Sequence, residues 1–187
     1  RFLQIEFPQA KFQIYDVAQK INRLEKDKQE FQNIISEIGS SQAVLWAFPL
    51  YFFLVCSQYK RFIELIFERK AAAAFRGKPA ACLTTSINFF DHTAHNYMNA
   101  VCDDLGMKYF GSYSAEMSDM HKSAERKRLS AFGRLFVDAI EEELPAIKNY
   151  QPLVFPKVVF KESKPKPVKT GGKKVLIIAD DTGKNGN

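Results

Sequence analysis

Residues 43–49, Ala43-Val44-Leu45-Trp46-Ala47-Phe48-Pro49, read as a continuous apolar strand, Ala43–Phe48, bounded by Pro49. A strand with no polar alternation is one covered on both faces, as in a parallel sheet. The same signature returns downstream at Pro79–Thr85, and a further strand is predicted at Lys108–Tyr113. Helical stripes fill the gaps. Tyr59, Phe62, Ile63, Ile66 and Phe67 fall on one helix face, and Ala94, Met98, Val101, Cys102 and Leu105 on another, which Gly106 closes as a C′ glycine. Upstream, Asp27 and Glu30 have the spacing of a capping box ahead of Phe31, Ile34, Ile35 and Ile38. Phe12–Asp16 reads as a strand followed by a loop through Lys26. A last helix carries Leu129, Phe132, Leu135, Phe136, Ala139 and Ile140 before Pro145 stops it.

Apolar strands separated by single amphipathic helices imply an α/β fold with a doubly wound parallel sheet. Ligands of such sheets lie beyond the carboxyl ends of the strands. Residues 49–55, 86–92 and 114–121 are therefore where function is expected.

Composition narrows the classes. The chain has 187 residues, 46% of them hydrophobic and 17 of them Phe, enough for one well-cored domain and an extension. No apolar run is long enough to span a bilayer; Ala43–Val55 comes nearest and is interrupted by Pro49. The net charge of +6 is not spread over the chain. Residues 157–174 alone carry a net +6, and residues 1–156 a net +1. A lysine- and proline-rich segment of this kind reads as a solvated linker, so neither nucleic acid nor membrane is an expected partner. Cys56, Cys82 and Cys102 are scattered and odd in number, which argues against disulfides, zinc and iron–sulfur clusters and for a reducing, cytoplasmic location. Asp91, His92 and His95 are metal-ligand types, but Asp91 or Thr93 at a helix start reads as an N-cap, and no metal site is assigned.

Three segments follow from this. Residues 1–150 form the α/β domain and 151–173 the Lys/Pro-rich linker. Residues 174–187 comprise an apolar strand, Lys174–Ala179, and a polar, glycine-containing loop of the sort that begins a phosphate-binding turn.

The segment Ala47-Phe48-Pro49-Leu50-Tyr51-Phe52-Phe53, with Lys60 and Phe62-Ile63 after it, resembles the flavin-ring loop of the flavodoxin-like NAD(P)H-dependent FMN reductases and quinone oxidoreductases. Phe75-x-Gly77-Lys78-Pro79 and Thr84-Thr85-Ser86 resemble that family's entry to its fourth strand and its second flavin loop. Asp91-x-Thr93-Ala94-His95-x-Tyr97, Gly106-Met107 and Ser114-Ala115-Glu116-Met117 are similar to a subgroup of the same family. The resemblance covers about residues 1–145. It implies FMN as cofactor, NAD(P)H as electron donor, a quinone or flavin-type acceptor, and a homodimer. The implied cofactor-binding residues are Pro49, Leu50, Tyr51, Phe52, Phe53, Thr85, Ser86, Ile87 and Asn88. Aromatic side chains suit a flat apolar ring, and polar groups of the 84–89 loop suit its hydrogen-bonding edge. The catalytic residues are unknown from sequence; His92 and His95 are the nearest titratable candidates, and no spacing selects either.

One departure from the family is evident. Its first strand and phosphate loop have no match before Arg1, and Arg1–Phe7 reads as the tail of the first helix. The expectation is therefore a flavodoxin-like sheet whose own first strand is missing from the sequence. Residues 174–187 either begin a second flavodoxin-like domain of a truncated tandem protein or supply a swapped strand. Losing about three charge-assisted bonds to phosphate weakens FMN binding by about 4.5–9 kcal/mol. Two alternatives to an oxidoreductase stay open, a flavodoxin-like electron-transfer module and a cofactor-free scaffold. The near-neutral body speaks against the first, because conventional flavodoxins are strongly acidic.

Overall fold

Three parallel strands carry the architecture in a computed structural model that describes residues 1–87 and 90–151, together with Val154, Val159, Gly172 and Leu176. Strands β1 (Val44–Pro49), β2 (Pro79–Thr85) and β3 (Lys108–Ala115) lie in the order β1-β2-β3. Val44 pairs with Ala80 and Pro49 with Thr85, while Pro79 pairs with Lys108 and Thr85 with Ala115. All three carboxyl ends therefore finish level. On β3 the register slips, Ala80 facing Tyr109 and Cys82 facing Ser112. Gly111, at φ +97°, supplies the backbone freedom for that bulge.

Helices cover both faces. α3 (Lys28–Ser40), α4 (Ser57–Glu68) and α5 (Asp91–Asp104) pack on the side of Trp46, Phe48, Ala80 and Cys82. Trp46 stacks on Phe75 at 5.8 Å and meets the edge of Tyr59 at 6.1 Å. The opposite face, with Leu45, Leu83, Tyr113 and Ala115, receives α1 (Phe2–Glu6) and α6 (Ser123–Glu141). α1 and α6 approach closely at Gly133. A Cβ there would stand 2.5 Å from the Phe7 ring and 2.7 Å from Leu3. The chain divides into two units, Arg1–Leu153 and Val154–Asn187.

Helix ends follow the local sequence signals in part. Asp27 caps α3, accepting from the amides of Gln29 and Glu30 at 2.9 and 3.1 Å. The box does not close, because the Asp27 amide donates to the Arg23 carbonyl and the Glu30 carboxylate turns to Arg23 and Lys20. Gly106 sits at φ +71° after α5.

Other expectations are corrected. Phe12–Asp16 is not a strand: no ladder partner reaches it among the described residues, and Ile14 projects into solvent. Alternation favours extended backbone, but a strand needs a neighbour to satisfy its amides. The expected loop through Lys26 contains a further helix, α2 (Ile21–Lys26), whose Ile21 and Leu24 are buried one turn apart. Phe67 and Leu135, placed on buried faces by spacing, are exposed, while Leu65 and Gly133 are buried. Neither Asp91 nor Thr93 caps α5. The N-cap is Phe90, in the left-handed conformation. The predicted strand at Lys174–Ala179 and the loop after it lie outside the described residues, save Leu176, as does most of the linker.

Candidate functional site at the carboxyl rim of the sheet

The loops leaving β1 and β2 form an apolar lip. Pro49 ends β1 exposed, and Tyr51 and Phe52 are 79% and 66% exposed. Leu50 turns the other way into the core, while its amide donates to the Thr85 carbonyl at 2.8 Å. Phe53 is half-buried. Across from it, Thr85 is exposed, Ser86 half-buried and Ile87 81% exposed; Asn88 lies outside the described residues. Rings bridge the two loops. Phe52 meets Phe53 edge-on at 4.3 Å, Phe53 lies 4.6 Å from Phe90, and Phe90 lies 5.7 Å from His92. Phe53 and Phe90 both have positive φ, 59° and 55°, an uncommon and strained backbone for a bulky side chain.

Beneath the lip, polar groups knit the strand ends together. The Asp91 carboxylate accepts from the Ser86 hydroxyl at 2.7 Å and from the Ser114 hydroxyl through the same oxygen, Oδ2. The two hydroxyls are 3.2 Å apart. Asp91 occupies the first turn of α5, where the helix dipole favours an anion. One turn on, His95 Nε2 is 2.9 Å from the buried Thr84 hydroxyl. Burial holds the His95 imidazole below the ordinary histidine value, with Asp91 pulling the other way. Beyond β3, Met117 stands almost fully exposed, and the buried Asp119 accepts from the Glu116 amide and from Lys122 at 2.8 and 2.9 Å.

Two surface hollows among the described residues are alternatives to the lip. One, around Asn22, Arg23 and Lys26, sits at the α2–α3 junction, far along the chain from the strand ends. The other, between Ser112 and Arg128, adjoins the Ser114 hydroxyl and is polar, with Lys122–Asp119 and Arg128–Glu125 pairs, each at 2.9 Å. The apolar lip is the better candidate for a planar ligand, because exposed contiguous aromatic surface is unusual and marks binding sites.

The sequence motif as a whole decides the family. Residues 2–122 match the family model described as NADPH-dependent FMN reductase. This chain belongs to the NADPH-dependent FMN reductase family. Its function is accordingly that of an NAD(P)H-dependent FMN oxidoreductase, with FMN as cofactor and NAD(P)H as electron donor. The fold agrees. A P. pentosaceus NADPH-quinone reductase superposes with a TM-score of 0.50 at 12% identity, covering 71% of this chain and 85% of that one. FerB, a flavoenzyme NAD(P)H:(acceptor) oxidoreductase from Paracoccus denitrificans, gives 0.51 at 18% identity, covering 75% and 86%. At such identities the likeness is one of fold, and it establishes the flavodoxin-like α/β class. No curated protein matches in sequence.

Among the described residues, the rim fits the ring half of an FMN reductase site. A flat ring needs an apolar wall, and Tyr51, Phe52, Ile87 and Phe90 present one at the surface. A phosphate needs a cradle of N–H donors. At the rim, the Leu50 and Ser86 amides are already committed to the Thr85 and Ala115 carbonyls. Sequence reasoning pointed to the lip through Pro49–Phe53 but missed Phe90 and the bonds of Asp91 to Ser86 and Ser114. Nothing local announces a phenylalanine in the left-handed region.

Proposed function

We propose that the FMN ring lies along the lip, with Pro49, Tyr51, Phe52 and Phe53 on one side and Thr85, Ser86, Ile87 and Asn88 on the other. Leu50 would contribute backbone only, since its side chain belongs to the core. When bound, FMN supplies the hydride chemistry, taking electrons from NAD(P)H and passing them to a quinone or flavin-type acceptor. The protein's share is to orient the ring, exclude water from its apolar face, and hold the polar edge near Thr85 and Ser86. The single observation that carries this reading is aromatic surface left exposed at the carboxyl ends of parallel strands, where a doubly wound sheet binds its ligand.

Fluorescence titration of FMN tests it, together with NADPH oxidation in the presence of a quinone. Tyr51→Ala and Phe52→Ala are each expected to weaken FMN by about tenfold, in line with about 1–2 kcal/mol per lost ring contact, and to leave the melting temperature unchanged. FMN affinity equal to wild type in both variants would overturn the placement.

The same exposed surface supports a homodimer, in which a second copy covers the lip. Support for a cytoplasmic location comes from the thiols. Cys82 and Cys102 are buried and unpaired, and burial pushes Cys102 up to about 12, so neither is set up for oxidation. No helix among the described residues is long and apolar enough to cross a membrane. For the chain's organisation, we assign 1–150 to the flavodoxin-like domain, 151–173 to a linker, and 174–187 to a strand and loop of a second such domain or a swapped strand. The division after Leu153 and the lysine–proline composition support this partition.

A further inference from the structure

Resting on the flavin placement above, we propose that Thr93 is a positioning residue whose hydroxyl helps set the stance of Phe53 at the lip. The Leu54 amide donates to the Phe52 carbonyl at 2.7 Å across Phe53, whose φ is 59°. That is a γ-turn with positive φ at its centre, a rare and strained turn, here carried by an aromatic residue. Such a turn persists only where its surroundings hold it. One holding bond comes from 40 residues away, where the Thr93 hydroxyl donates to the Phe53 carbonyl.

Two acceptors lie within reach of that donor. The Thr93 hydroxyl also lies 2.7 Å from the Phe90 carbonyl, yet it has one proton to give. The Phe90 carbonyl already accepts from the Thr93 amide at 3.1 Å. A carbonyl can accept twice, so the hydroxyl proton is shared between the Phe53 and Phe90 carbonyls, the second of which is also held by the amide. One residue thus grips both loops, by its amide on the β2 side and by its hydroxyl on the β1 side. The 4.6 Å contact between the Phe53 and Phe90 rings is the spacing this grip sets.

The test uses the full chain as wild type, Thr93→Ser and Thr93→Val. It follows amide hydrogen exchange at Leu54 and Thr93, FMN affinity by fluorescence, and thermal melting. Valine removes the hydroxyl and keeps the amide. The Leu54 amide should then exchange about tenfold faster and FMN should bind about tenfold more weakly, the effect of one lost hydrogen bond. The Thr93 amide and the melting temperature should stay as in wild type, and serine should restore everything. Leu54 exchange unchanged in Thr93→Val, both amides loosening equally, or serine behaving as valine would each overturn the proposal. FMN bound equally by wild type and Thr93→Val would end the positioning role and leave the flavin placement standing. A wild type that takes up no FMN would bring down that placement, and the positioning role with it.

Discussion

The middle of the sheet and its carboxyl rim are built from the same aromatic residues put to opposite uses. Trp46, Tyr59 and Phe75 are buried against one another, with the Trp46 and Phe75 rings within 9° of parallel. Tyr51, Phe52 and Phe90 stand in solvent, and Phe53 and Phe90 sit on strained backbone. Rings in the interior stabilise the fold through area removed from water. Rings at the rim forgo that gain and keep their faces available. The comparison separates stability from binding within a few residues of chain.

Four measurements can break or sharpen it. Phe75→Ala should destabilise the protein by about 3–5 kcal/mol in urea unfolding, the usual effect of emptying a buried aromatic site. Phe52→Ala should change stability by under about 0.5 kcal/mol. A comparable loss in both would erase the distinction. Asp91→Asn should cost about 1.5–3 kcal/mol, because hydrogen bonds to a charged group are the stronger kind and two serines depend on it. Thermal unfolding checks this, and a loss confined to FMN affinity would move Asp91 from scaffold to site.

Phe90→Gly should leave stability unchanged or raise it by up to about 1 kcal/mol, since glycine accepts positive φ at no steric cost, while weakening FMN. If it destabilises instead, the Phe53–Phe90 contact is structural. The smallest effect is one of pH. The folded-state pKa of His95 lies below its ordinary 6.5, burial being the main cause. The native state therefore binds fewer protons than the unfolded one. Stability should be fully present above about 6.5 and fall as pH drops from there toward the folded-state value. His95→Gln should flatten that slope, and an unchanged slope would remove His95 from the account.

Legibility followed the range of the physics involved. Val44–Pro49, Pro79–Thr85 and the stripes of α3, α4 and α5 were readable because apolar spacing reports burial directly. β3 runs two residues past Tyr113, where Ser114 is polar and gives no apolar signal. Phe12–Asp16 misled for the opposite reason, since its alternation is local and its pairing is not. α2 was hidden by its length of six residues. At the rim, Pro49–Phe53 stood out by motif. Leu50 shows that a motif does not say which way a side chain turns, and Thr93 joins partners 40 residues apart that no window of sequence contains.

Gly133 ties the size of one residue to that of another across most of the chain. With Phe7 and Leu3 already filling the volume beside it, enlargement at 133 calls for a matching reduction in one of them. Gly133→Ala and Phe7→Leu should each be harmful alone and milder in combination. Helices α1 and α6 are in this sense a single fitted joint, adjustable only as a pair.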